Sequence, residues 1–157
     1  MKTIDTREYF SAMRELVRQG REVSVPVSGN SMSPFLVHQR DTVRFRAPDS
    51  PIRRGDMVVY QRPTGDFVMH RVLRTAPEGC YIVGDAQTCV EGPVAREHIF
   101  ARVTCVQRKG REIDERDFWW RFFAGPWLTL RPLRPAILRG YTLLTRKVSN
   151  TGAENEC

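Results

Sequence analysis

At 157 residues, with 41% hydrophobic and 27% charged side chains, the chain has a globular composition and enough length to bury about two-thirds of the surface its unfolded form exposes. That excludes a disordered or fibrous chain. The formal net charge of +7 is uneven: residues 118–157 hold 6 basic and 2 acidic side chains, and no acid lies between Phe118 and Ala153, a bias that suits an anionic surface.

Residues 1–20 predict an amphipathic helix over 5–19. Tyr9 or Phe10, Met13, Leu16 and Val17 recur at three- and four-residue spacing, Asp5 or Thr6 can cap its start, and Gly20 stops it. The stretch carries charges throughout and no apolar export segment. From Val23 the period changes to two, with Val23, Val25 and Val27 alternating against polar positions or proline, so a half-buried strand runs into "VSGNSMSPFL" at 27–36. Five further strands follow, at 42–46, 56–62, 66–74, 80–85 and 99–108, separated by turn sequences such as "PTG", "APEG" and "EGPV". Short strands without long helices between them predict a mainly β, antiparallel body over residues 21–110.

Residues 111–157 differ in kind. All three tryptophans, Trp119, Trp120 and Trp127, stand here beside Phe118, Phe122 and Phe123, punctuated by arginines; Pro126, Pro132 and Pro135 divide any helix into short pieces. The longest uncharged run in this segment, 122–130, is far below the roughly 20 residues a membrane-spanning helix needs. Residues 118–148 therefore read either as a peripheral membrane contact or as a helical lid packed on the body. Nucleic acid is not expected as a partner. Cys80, Cys89, Cys105 and Cys157 contain no CxxC pair and have no histidine at zinc-ligand spacing. This pattern predicts reduced thiols, a cytoplasmic setting, and no metal or cofactor.

Serine hydrolysis of an amide needs a nucleophile on a turn, a base, a group that orients the base, and donors for the oxyanion. Ser31 meets the first requirement: Gly29 permits a left-handed backbone, Met32, Phe35 and Leu36 anchor the turn, and the Ser31 amide can serve as a donor. For the base, lysine is nearly excluded. The chain has only Lys2, Lys109 and Lys147, none between Ser31 and Arg108, and arginine stays protonated. Of the three histidines, His38 and His98 lie in surface contexts. His70 interrupts an apolar face of "FVMHRV", either as a satisfied core histidine or as the base. Asp85, at the end of "YIVGD", and Glu91, six residues on, are the acids that can orient it.

Gly29-Asn30-Ser31-Met32-Ser33-Pro34, Gly55-Asp56 before an apolar strand, His70-Arg71-Val72, and Gly84-Asp85 occur in the order found in the S24/S26 serine peptidases, the clan of signal peptidase I and LexA-type repressors. Residues 21–106 resemble that clan, and histidine in place of lysine resembles its endoplasmic-reticulum and SipW-like branch. The resemblance implies a coiled antiparallel β body and an endopeptidase acting on a peptide or protein substrate. Ser31 would be the nucleophile and His70 the general base, with Asp85 and Glu91 as the acids; Glu91 stands where the family has aspartate. Gly29 replaces a serine common two residues before the nucleophile, which leaves the oxyanion to backbone amides helped by Asn30, with Met32 beside the substrate. Two alternatives remain: a LexA- or UmuD-like self-cleaving regulator, and a non-catalytic module that binds membrane or nucleic acid through its basic tail.

Overall fold

A computed structural model of the protein describes residues 6–145. Helix α1 spans Thr6–Arg18 and buries Val17, while Tyr9, Met13 and Leu16 pack partly buried against the core, as their spacing requires. The expected cap at Asp5 lies outside the described residues.

Eight strands then form one antiparallel sheet: β1 Val23–Pro26, β2 Asp41–Arg46, β3 Met57–Gln61, β4 Phe67–Ala76, β5 Gly79–Val83, β6 Glu91–Val94, β7 Ile99–Arg108 and β8 Arg111–Ile113. Their order is β1-β2-β7-β3-β4-β5-β6, with β8 paired to β7. Register shifts interrupt the pairing between β2 and β7, β3 and β7, β4 and β5, and β5 and β6, where irregularities of this kind bend a strand and increase its local twist.

Two of these strands, β6 and β8, depart from the sequence expectation. "EGPV" is an edge strand rather than a turn; at the edge, Pro93 can join a sheet without a ladder hydrogen bond being lost from its interior. β8 carries the sheet to Ile113, past the expected boundary at residue 110.

Alternation across β3 divides the core. Met57 and Val59 face a large cluster with Val25, Phe35, Phe45, Trp120, Phe123 and Trp127, whereas Val58 and Tyr60 face a smaller one with Val72, Cys80, Ile82 and Ile99. A strand buried on both faces cannot show the clean alternation of a half-exposed one, and β3 reads "MVVYQ" accordingly.

The prolines divide the remaining described chain as expected, into α2 Phe118–Ala124, α3 Pro126–Thr129, a 3-10 turn at Arg131–Leu133, and α4 Arg134–Thr145. Asp117 caps α2 by accepting from the Trp119 amide. Trp120, Phe123, Trp127 and Leu128 are buried against the body, so the inner side of this segment is a packed lid. No helix among the described residues is long and apolar enough to cross a membrane. Cys80 and Cys105 are buried free thiols, in keeping with the reduced state expected for them.

Candidate active site

The turn that presents Ser31 is built by the residues on either side of it. Gly29 has φ +83°, the left-handed conformation that an L side chain rarely adopts, and its amide donates to His38 Nδ1 at 3.0 Å. His38 is exposed, as expected, but it braces this loop. After Ser31, Met32, Phe35 and Leu36 are 2%, 1% and 0% exposed. Burial of side chains of this size is worth about 1.5–3 kcal/mol each, which pins the turn to the core.

Buried Asp41 supports the same loop from beneath. It accepts from the Val37 amide and from the guanidinium groups of Arg40 and Arg108. Burial alone would raise its carboxyl pKa, but these bonds outweigh burial and hold the pKa below the ordinary value.

Ser31 is half-buried and lines a cavity of about 760 Å³ together with His70, Glu91, Gln87, Gly29 and Met32. Val25, Val27, Phe45, Val59, Phe67 and Met69 supply apolar wall, and Thr6 and Phe10 of α1 close one side. Phe10 stacks on Phe67 with ring centroids 5.5 Å apart. Among the described residues, neither the hydroxyl nor the amide of Ser31 has a hydrogen-bond partner. The structure thus brings Ser31 and His70 to one cavity without a bond between them. Asn30 is exposed and is not part of the cavity wall.

His70 is 3% exposed, and Val58 faces it on the neighbouring strand. Burial is the largest influence on the ring and pushes its pKa down to about 4; the charge of Glu91 acts to raise it and that of Arg62 to lower it. The imidazole is therefore neutral at pH 7, the state a general base requires.

Nδ1 of His70 lies 3.5 Å from Tyr60 Oη, the long limit of a hydrogen bond, and Tyr60 Oη donates to Glu91 at 2.9 Å. Burial, followed by the neighbouring Glu91, raises the Tyr60 pKa, so the phenol keeps its proton. Arg62 grips Glu91 through both Nε and Nη2. Burial opposes the charge of Glu91, but the bonds from Arg62 and Tyr60 prevail and keep its carboxyl ionised below the ordinary range.

Asp85 is placed differently. Its two carboxylate oxygens accept from Arg71 Nε and Nη2, both at 2.9 Å, and both side chains are 0% exposed. Arg71 follows His70 on β4 and so projects to the opposite face of the strand, where its guanidinium lies 5.3 Å from the Phe35 ring centroid and donates to the Gly55 carbonyl. The Gly55-Asp56 and Gly84-Asp85 motifs therefore meet at Arg71, while Glu91 is the carboxylate linked to His70, through Tyr60.

The turn after β5 also touches the nucleophile directly. The Ala86 amide donates to the Ser31 carbonyl at 2.9 Å, and a Cβ at Gly84 would stand 2.5 Å from that same oxygen. Only glycine allows so close an approach. The turn is held from its far side by the C-terminal helices: Trp127 Nε1 donates to the Asp85 carbonyl, and Arg134 donates to the carbonyls of Gly84, Gln87 and Trp127. Burial lowers the Arg134 pKa to about 10, and the residue remains charged at neutral pH.

Tyr60, Arg62, Gln87 and Arg134 were not singled out from the sequence. Tyr60 and Arg62 do carry one signal, as an ionisable pair two residues apart at the end of an otherwise apolar strand. No protein-family model, curated protein or solved structure gives a significant match to this chain.

Proposed function

We propose that this protein is a serine endopeptidase of signal-peptidase-like type, with Ser31 as nucleophile and His70 as general base. The observation that carries the reading is the convergence of Ser31, neutral His70 and Glu91 on one apolar-walled cavity, with Tyr60 bonded to Glu91 behind it. An extended peptide fits such a wall, and its scissile carbonyl would lie against Ser31.

In this scheme Nδ1–H of His70 donates to Tyr60 Oη, whose own proton is held by Glu91. That leaves Nε2 with a free lone pair. Ser31 Oγ attacks the carbonyl carbon as Nε2 takes the hydroxyl proton, and the free Ser31 amide donates to the oxyanion. Collapse of the tetrahedral intermediate expels the amine, which takes the proton from Nε2 and leaves an acyl-serine. Water then attacks the acyl carbon while His70 Nε2 accepts its proton, and collapse of this second tetrahedral intermediate passes that proton to Ser31 Oγ and releases the carboxylic acid. Glu91 acts through Tyr60, and Asp85 holds Arg71 rather than the base. Ser31 and His70 must approach to near 3 Å when substrate binds, a tightening common between free and occupied sites.

The test is covalent labelling of the purified chain with a fluorophosphonate probe. Labelling is expected at Ser31 and absent in Ser31→Ala and His70→Ala. A His70→Ala protein that labels at the same rate would remove His70 as the base, and a folded parent protein that does not label would favour the non-catalytic module.

A further inference from the structure

The C-terminal helices use only one side to grip the body. Their other side is apolar and exposed: Phe118 is 69% accessible, Trp119 53%, Leu133 55%, Ile137 39% and Leu144 84%. Leu133, Ile137 and Leu144 are spaced by four and seven residues, so they run along one side of α4 and the turn before it. Arg134 and Leu138 take the side turned to the body.

Charge narrows the choice of partner. Residues 118–144 contain Arg121, Arg131, Arg134 and Arg139 and no acid. Arg134 is spent on buried carbonyls, and none of the other three forms an ion pair among the described residues. An apolar protein partner or a second copy would use the hydrophobic side alone. Aromatic and aliphatic side chains beside unpaired arginines match an interface of acyl chains and anionic headgroups. No described helix can span a bilayer, so the contact is peripheral.

We propose that α2–α4 dock the protein on an anionic lipid surface, with Phe118, Trp119, Leu133, Ile137 and Leu144 at the acyl boundary and Arg121, Arg131 and Arg139 against the phosphates. The inner side of the same helices holds the 84–87 turn, whose Ala86 amide donates to the Ser31 carbonyl, so the docking surface is linked to the cavity through that turn. The proposal stands independently of the peptidase chemistry.

The experiment is co-sedimentation of the full chain with phosphatidylcholine vesicles, with and without about 30% phosphatidylglycerol. Binding to the anionic vesicles should be roughly 100-fold tighter, about fivefold for each of three arginines, and should weaken in about 0.5 M salt. Leu133→Ser with Ile137→Ser, and separately Trp119→Ser, should release the protein while its melting temperature is unchanged. Ser31→Ala should bind like the parent, which separates this test from the catalytic one. Absence of binding, equal binding to both vesicle types, or variants that lose a dimer but keep vesicle binding would each overturn the proposal.

Discussion

Asp85→Asn distinguishes a structural acid from one that serves His70. The substitution keeps the side-chain shape but removes the charge facing Arg71, and both partners of that pair are wholly buried. A guanidinium left in this position retains the Gly55 carbonyl and the Phe35 ring but loses its counter-ion. Breaking such a pair on one side costs about 3–5 kcal/mol. At about 2–4 °C per kcal/mol for a chain of this size, the melting temperature should fall by about 6–20 °C. Thermal denaturation followed by circular dichroism measures the fall. Labelling of Ser31, measured well below the new transition, should persist at a reduced rate. The double variant Arg71→Met/Asp85→Leu should recover most of the stability, because two apolar groups of similar volume replace a buried pair at little net cost. If Asp85→Asn instead melts like the parent but no longer labels, Asp85 orients the base and the assignment to Arg71 is wrong.

Two further outcomes follow from the surroundings of His70. Its folded pKa of about 4 lies below the ordinary 6.5, so the unfolded chain takes up the proton first. The stability associated with the buried neutral ring is complete above about pH 6.5 and is lost as pH falls towards 4, by about 3 kcal/mol. Urea denaturation across that window should show a flatter pH dependence in His70→Gln; an identical slope would show that the ring is not buried neutral. Tyr60→Phe removes the hydroxyl between His70 and Glu91 while leaving Glu91 held by Arg62. The labelling rate at Ser31 should fall by about 10–100-fold, the range seen when a supporting hydrogen bond is lost, with peptide KM little changed. An undiminished rate would remove Tyr60 from the relay.

Local pattern alone identified the features that depend on near neighbours in the chain. The alternation of Val23, Val25 and Val27 marked β1 because side chains on a strand alternate faces, and the spacing of Met13, Leu16 and Val17 marked α1 for the corresponding helical reason. The prolines divided the C-terminal segment as the structure divides it, since each removes a backbone donor and restricts its neighbour. The shortage of lysine, with none between Ser31 and Arg108, leaves His70 as the candidate base. What the sequence could not specify is which distant residues meet. Glu91 and Asp85 looked equivalent because both follow β5, and only the sheet order β3-β4-β5-β6 sends one towards Tyr60 and the other to the opposite face of β4. "EGPV" has turn composition and becomes a strand only because β5 offers it an edge. The aromatic segment was ambiguous between lid and membrane contact; tertiary packing buries Trp120, Phe123 and Trp127 and leaves Phe118, Trp119 and Leu144 outside. Periodicity reports which face a residue occupies, whereas the partner it meets there depends on contacts between segments far apart in the chain.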